Sequence, residues 1–249
     1  MESQSSSRVE LPLSFVDAHI DVLVQLIADM LERLMSHNDR IPLLPESLTR
    51  FHSRSAPGIN VLDYLKRIVR FTKVEKSCLL ITLHYIDKIC TRMPLFTLSS
   101  LTCHRFIIAS ITVSSKGLCD VFCNNSLYAK VGGISLGELN TLEREFLSMI
   151  DWRLTCTREH LEEYYVNLVR THSSGTFVIV GSTNPEKPSA DGDVEMMENH
   201  SKTPSFHEPS AIFADPSSVT SEISRRPTIE QNMAFAALRN EQQRQEEEQ

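Results

Sequence analysis

Glu143 is a carboxylate at a position where the surrounding pattern calls for an apolar side chain. Residues 135–151 predict an amphipathic helix, and on a wheel of about 100° per residue Glu143 falls between Leu139 and Leu147. The apolar arc of that helix comprises Leu136, Leu139, Leu142, Phe146, Leu147, Met149 and Ile150. A lone buried carboxylate costs several kcal/mol of folding free energy, so Glu143 should have a cation or a hydrogen-bond donor beside it.

Lys116 is the natural partner for Glu143. It follows a run, residues 106–115, that contains no charged side chain, and a helix that is apolar or small on all sides is typical of a buried central helix. If this helix packs beside the helix of Glu143, the two charges can meet. Periodicity alone leaves two interpretations open. The pair could only close the core, with Lys116 favoured by the dipole at a helix C-terminus, or it could bind a partner.

No other set of side chains in the sequence indicates reactive chemistry. The six cysteines include no C-x-x-C pair, and most lie in apolar helical runs, which indicates reduced, buried thiols of an intracellular protein. A zinc site made of Cys119, Cys123 and His104 is conceivable, but its ligand spacing is unsuitable. We recognise no nucleophile with its base, no phosphate loop and no metal triad. We therefore expect no catalytic residue, no cofactor and no metal, and we expect that the protein is not an enzyme.

The composition sets limits on the class of protein. The chain of 249 residues, 41% of them apolar, is long enough for one ample domain with tails. The net charge of −7 argues against a nucleic-acid partner, because phosphate neutralisation needs a basic face. No apolar run reaches the roughly 18 residues of a membrane span, and the first residues lack an apolar signal core. We expect an intracellular protein, in the cytoplasm, the nucleus or both.

Helical periodicity places these residues in an all-α fold. Helices are predicted over 15–37, 61–71, 76–92, 99–118, 126–131, 135–151 and 158–170. Asn60 is a predicted N-cap, and Ser135 with Glu138 predicts a capping box. Gly132-Gly133 marks a helix C-terminus.

The same pattern divides the chain into four parts. Residues 1–13 are predicted to be disordered, and residues 14–50 to form an N-terminal helix with a linker. The main domain is expected over 51–172. Residues 173–249 predict a largely disordered tail, because their Pro- and Ser-rich part is poor in large apolar groups. Within it, residues 177–180 could form a short strand or a segment that docks on the domain.

The order of motifs between residues 51 and 172 resembles a cyclin box. The matching text is Pro57-Gly58-Ile59-Asn60-Val61, Tyr85-Ile86-Asp87-Lys88, Ser115-Lys116, Asn125, Tyr128-Ala129-Lys130-Val131-Gly132-Gly133-Ile134, Glu138-Leu139-Asn140 and Leu142-Glu143. The later motifs are the most specific, and they are most similar to the phosphate-regulatory and U-type (P/U-type) cyclins. The resemblance implies a single box of five helices around a central third helix, with flanking helices at both ends.

The resemblance also implies a partner, a cyclin-dependent protein kinase. In cyclins, a lysine that ends the third helix and a glutamate in the fifth contact the kinase, and those positions match Lys116 and Glu143. We interpret Phe122, Tyr128 and Lys130 as candidates for the kinase-facing edge, with plain packing or solvent exposure as the alternative.

Two further charged residues are assigned structural roles. Arg105 is expected to pair with an acid inside the fold. Asp87 could orient Lys88 or Arg67, or be exposed to solvent.

Two positions depart from the common cyclin pattern. Gly117 follows the lysine where many cyclins carry a bulky aromatic residue, and Lys88 stands where arginine is common. The function implied is that of a non-catalytic subunit that binds and activates a kinase. The alternative is a cyclin-fold adaptor that binds a partner protein without activating a kinase.

Overall fold

A computed structural model describes residues 8–180. The helices are α1 (Ile20–Asn38), α2 (Val61–Thr72), α3 (Lys76–Arg92), α4 (Cys103–Leu118), α5 (Asn125–Gly132), α6 (Leu136–Met149) and α7 (Arg158–Thr171). Two strands of three residues, β1 (Val9–Leu11) and β2 (Phe177–Ile179), pair in parallel, and a 3₁₀ turn covers Pro45–Ser47. The predicted all-α class is confirmed. The five helices α2 to α6 form the box, with α1 and α7 as its flanking helices.

Helix α4 is the buried centre of the domain. Every residue from Phe106 to Ser115 is buried, and α4 packs against α2, α3, α5 and α6. Two of its small polar side chains form hydrogen bonds: Ser110 bonds the hydroxyl of Thr82 on α3 at 2.9 Å, and Thr112 donates to the Ile108 carbonyl at 2.7 Å. The ring of Phe106 lies 5.1 Å from that of Phe146 on α6, as expected for an aromatic core contact. The absence of charge in this run is therefore a packing requirement.

The predicted helix ends agree with the structure where a cap was recognised. Asn60 accepts a hydrogen bond from the backbone N–H of Asp63, and Ser135 accepts one from Glu138. Gly133 closes α5 with a φ of 72°, a conformation that glycine adopts without strain.

Two helices begin later than predicted, because local side-chain bonds hold the preceding residues in turns. Before α1, Glu162 of α7 accepts from the Ser14 hydroxyl and from the Phe15 N–H, at 2.6 and 3.0 Å. Before α4, the Thr102 hydroxyl accepts from the Ser99 N–H and donates to the Thr97 carbonyl. Such bonds compete with helical ones at the start of an element.

The structure differs from the expectation that residues 1–13 and 173–249 lack order. β1 and β2, one from each of these segments, pair with each other beside α7. Leu11 is buried, and the Tyr165 hydroxyl of α7 donates to the Pro12 carbonyl at 2.9 Å. The two segments are ordered because each covers apolar surface and satisfies the other's backbone. The strand that we considered for residues 177–180 is thus present as β2.

The rest of the predicted tail, residues 181–249, lies outside the described residues, as do residues 1–7. In the described range, no helix combines the length and apolar character needed to cross a membrane.

We predict that the N-terminal strand stabilises the domain through Leu11. Leu11→Ala should lower the free energy of unfolding by about 2 kcal/mol, because it leaves a cavity under the strand pair. Val9→Ala is the matched control in the same strand, since Val9 is 44% exposed, and it should change stability little. Urea denaturation measures both, and equal effects of the two substitutions would contradict a structural role for this strand.

His104, at the start of α4, introduces a pH dependence. One ring nitrogen, Nε2, lies 2.8 Å from the Ile59 carbonyl oxygen, and the ring packs on Tyr64. The other nitrogen, Nδ1, is buried, and no hydrogen-bond partner for it is found within residues 8–180. Burial lowers the pKa of His104 below its ordinary value of 6.5, because a second proton would place an uncompensated charge in the core.

We predict that the protein loses stability as the pH falls from about 7 to about 5. In this window His104 binds a proton in the unfolded chain but stays neutral in the folded chain. The free energy of unfolding therefore falls as the pH is lowered. His104→Gln, which keeps a donor for the Ile59 carbonyl, should reduce the slope of stability against pH by at most roughly 1.4 kcal/mol per pH unit. His19→Gln, at an exposed histidine, is the control. An unchanged slope in His104→Gln would refute the assignment.

Candidate functional site

Lys116 and Glu143 form an ion pair where α4, α5 and α6 meet. Lys116 Nζ lies 2.5 Å from Glu143 Oε1. The Asn125 amide donates to Glu143 Oε2 at 2.7 Å and to Asn140 Oδ1 at 2.8 Å, while Asn125 Oδ1 accepts from Lys116 at 3.2 Å. We call these four residues, Lys116, Asn125, Asn140 and Glu143, the Lys116 cluster.

Each member of the Lys116 cluster is positioned by a helix. Lys116 lies in the last turn of α4, where the helix dipole favours a cation. Asn124 caps α5 through the Leu127 N–H, which fixes Asn125 as the first residue of that helix. Glu143 projects from the middle of α6 toward both. The Glu143 side chain is 14% exposed and that of Lys116 is 34% exposed, so a partner can still reach the pair.

Two members of this cluster, Asn125 and Asn140, were not predicted as site residues. Both belong to the motifs that carry the cyclin resemblance, but an asparagine at a helix start is typically a cap, and Asn140 lies on a polar helix face. Their role depends on the packing of α5 against α6, which local patterns do not reveal.

The segment between Lys116 and Asn125 leaves the cluster and returns to it, and it exposes apolar side chains. Val121 is 88% exposed and Phe122 is 50% exposed, and Leu118 is also accessible. We call Leu118, Val121 and Phe122 the apolar rim. Exposed apolar groups beside a half-buried charged pair are typical of a protein interface.

Two predicted neighbours of the pair are placed elsewhere. Tyr128 is fully buried, and its hydroxyl accepts from the Cys123 N–H at 3.4 Å, so it shapes the loop from within and cannot touch a partner. Burial raises the pKa of Tyr128. Lys130 is exposed but lies about 140° around α5 from Asn125. Its carbonyl accepts from Arg67 of α2 at 3.1 Å.

Arg105 and Asp87 have structural partners. Arg105 forms an ion pair with Glu138 of α6 and donates to the His52 carbonyl at 2.6 Å. Asp87 is buried and accepts a hydrogen bond from the Tyr164 hydroxyl of α7. The alternative that Asp87 is exposed to solvent was therefore wrong, because α7 packs across this face of α3.

The Tyr85–Lys88 motif of α3 anchors the segment that follows α6. Tyr85 donates to the Leu154 carbonyl at 2.8 Å, and Lys88 donates to the Arg153 carbonyl at 2.9 Å. A single donor suffices for this contact, which explains how lysine serves where arginine is common. Leu154 in turn occupies the space that a Cβ on Gly117 would need. An aromatic residue at position 117 would displace the Leu154 side chain, which explains why glycine is accommodated here.

A model of the cyclin family matches residues 21–154, more than half of the chain. The chain belongs to the cyclin family. The matched range begins in α1 and ends before α7, whereas we expected a box over 51–172.

The relatives of the chain confirm the resemblance to phosphate-regulatory and U-type cyclins. The chain is 45% identical over 153 residues to the Nuc-1 negative regulatory protein preg of Neurospora crassa, a match that covers 60% of this chain and 32% of that protein. It is 40% identical over 163 residues to PHO85 cyclin PHO80 of Saccharomyces cerevisiae, covering 64% and 55%. Cyclin-U4-1 of Arabidopsis thaliana is 34% identical over 146 residues, covering 57% and 72%. The chain thus spans about a third and about half of the first two relatives.

We predict that the two charges of the pair differ in their importance to the isolated cyclin. Lys116→Ala should lower the free energy of unfolding by less than about 1 kcal/mol, because Lys116 is partly exposed and Glu143 keeps the Asn125 amide. Glu143→Ala should cost about 1–3 kcal/mol, because Lys116 loses its only carboxylate and Asn125 loses one of its two acceptors, while the weaker contacts with Asn125 Oδ1 and Asn140 Oδ1 remain. The control is Glu145→Ala, two positions further along α6. Urea denaturation measures all three, and a larger loss in Lys116→Ala than in Glu143→Ala would contradict this order.

Proposed function

We propose that this cyclin is a non-catalytic regulatory subunit that binds and activates a cyclin-dependent protein kinase. The binding surface is the joined face of α4, α5 and α6 around the Lys116 cluster. The observation that carries the proposal is the arrangement of a half-buried ion pair, already assembled and still partly accessible, beside the exposed apolar rim.

The relatives support a partner of this kind. One of them is named as a cyclin of PHO85. Lys116 and Glu143 lie in the sequence motifs through which this chain resembles cyclins. We place the complex inside the cell, in the cytoplasm or the nucleus, with neither nucleic acid nor membrane as a partner.

The apolar rim would supply most of the affinity, and the charges would set the register. Burial of large apolar side chains such as Phe122 dominates the energy of protein interfaces. Lys116 can donate to a main-chain carbonyl of the kinase and Glu143 can accept from a main-chain N–H. Because Asn125 already orients the Glu143 carboxylate, little side-chain entropy is lost when the partner arrives.

Activation follows from differential binding. A kinase that depends on a cyclin is inactive alone when its mobile helix C lies away from the position in which its Lys–Glu pair and its metal-binding Asp are aligned. A cyclin can shift that equilibrium only by binding the aligned state more tightly than the other. A junction of three helices around the Lys116 cluster, held by the ion pair and the Asn125 bonds, would favour the one position of the kinase helix that fits it.

We predict that Lys116→Ala and Glu143→Ala each weaken kinase binding by about 30- to 4,000-fold. Removal of one partner of a desolvated charged pair at an interface costs roughly 2–5 kcal/mol, because the other charge is left uncompensated. Asn125→Ala should weaken binding less, since it only loosens the carboxylate. The measurement is calorimetric titration with the cyclin-dependent kinase that co-purifies with the wild-type chain, together with its activity on a generic substrate.

Lys66→Ala on α2 and Glu145→Ala on α6 are the charge-matched controls, and both should bind as the wild type does. Circular dichroism verifies that the helices persist in every variant. Normal binding by both Lys116→Ala and Glu143→Ala would reduce the pair to a structural role. A wild-type chain that binds the kinase without raising its activity would instead be an adaptor.

A further inference from the structure

Three metal-ligating side chains converge on the side of the domain formed by α3 and α7. His84 comes from α3, His160 from the first turn of α7, and Cys156 from the residues just before α7. One donor atom of each lies within 4.8 Å of the other two. The two imidazole rings meet edge to face with their centroids 5.4 Å apart. The sequence did not predict this group, because His84 is far from Cys156 and His160 along the chain and the three follow no zinc motif.

The start of α7 holds two of these ligands in place. Thr157 is the N-cap, and its hydroxyl accepts from the His160 N–H at 3.3 Å. Cys156 therefore precedes the cap and His160 follows it by three residues, and both are fixed relative to the helix. His84 is buried on α3, which packs directly against α7.

A second layer of contacts orients the His160 ring. Its Nδ1 lies 3.0 Å from Glu163 Oε2, so the carboxylate can hold the Nδ1 proton and leave Nε2 as the donor atom. The Tyr164 ring packs against it with centroids 4.9 Å apart. A carboxylate behind a histidine is the usual support of a metal-bound imidazole, because it sets the tautomer and raises the basicity of the ligand.

We propose that His84, Cys156 and His160 form a binding site for zinc(II). Two imidazoles and a thiolate suit this ion, whereas magnesium and calcium require oxygen ligands. Tetrahedral bonds of 2.0–2.3 Å would bring the donor atoms to roughly 3.5 Å from one another, a closure that side-chain rotation can provide. On binding, the Cys156 thiol gives its proton to water as the sulfur–zinc bond forms.

The fourth position of the zinc ion would face a cavity. A cavity of about 730 Å³ is lined by His84 and His160 together with Asp87, Trp152 and Tyr164. The ion would thus keep an open site for water or for an acidic group of a partner, as zinc sites with three protein ligands do. It would also tie the segment of Leu154, which packs beside Gly117, to α3 and α7.

The test uses the full chain, reduced and freed of metal, titrated with zinc against a chromophoric chelator. The wild type should bind zinc tightly at one site, and cobalt(II) at the same site should give the visible spectrum of tetrahedral thiolate coordination. Cys156→Ser and His160→Gln should each weaken this binding by more than about 100-fold. Glu163→Gln should weaken it by about 10- to 100-fold, the range for a residue that supports a ligand.

The controls separate this site from other thiols and imidazoles. The sulfurs of Cys78 and Cys119 lie 3.3 Å apart and could also attract zinc, so Cys119→Ser tests that competitor. His172→Gln tests a histidine outside the cluster. Both should bind as the wild type does, and zinc should raise the melting temperature of these proteins but not of Cys156→Ser.

Circular dichroism of the metal-free variants shows whether a loss of binding is a loss of fold. His160 is partly exposed, so its glutamine variant should keep its helices even if the serine variant of Cys156 does not. Unchanged affinity in His160→Gln, an equal loss in Cys119→Ser, or no zinc binding by the wild type would overturn the proposal.

Discussion

The buried position of α4 is the constraint on which the rest of the domain depends. A helix surrounded on all sides can carry no charge along its buried length, so its charged residues, Arg105 and Lys116, lie at the two ends. Both find their acids on the same neighbouring helix, since Arg105 pairs with Glu138 and Lys116 with Glu143 of α6. The ion pairs thus fix α6 along the central helix, while the apolar core supplies the burial energy.

The Lys116–Glu143 pair serves the fold and the proposed interface at the same time, and its partial exposure makes this possible. A fully buried pair would be closed to a partner, and a fully exposed one would be too mobile to bind with a defined geometry. The Asn125 amide makes an intermediate exposure possible, because it donates to the Glu143 carboxylate from α5 while the Lys116 side chain stays partly accessible. The proposed interface would therefore be formed before a partner binds, which would reduce the entropy lost on binding.

The residues between α6 and α7, which include Arg153 and Leu154, contact both α3 and the C-terminal end of α4. Tyr85 and Lys88 bind the carbonyls of this segment from α3, Leu154 fills the space beside Gly117, and the three ligands of the proposed zinc site lie next to it. Changes on the α3–α7 side could reach the proposed kinase-binding side through this short path of packed side chains.

The sequence by itself determined the features that depend on neighbours in the chain. Helical periodicity, the caps at Asn60 and Ser135, the stop at Gly133 and the anomalous position of Glu143 all depend on residues within one or two turns, so they could be recognised without a structure. The partner of Glu143 could also be predicted, because the charge-free run ends at one lysine.

Tertiary structure decided the features that depend on packing between distant segments. Asn125 and Asn140 join the cluster because α5 lies against α6, the Tyr128 hydroxyl bonds the loop that precedes α5, and β1 is ordered by its pairing with β2 and its contacts with α7. In each case the energy of the residue is set by atoms from elsewhere in the chain, and local patterns contain no information about them.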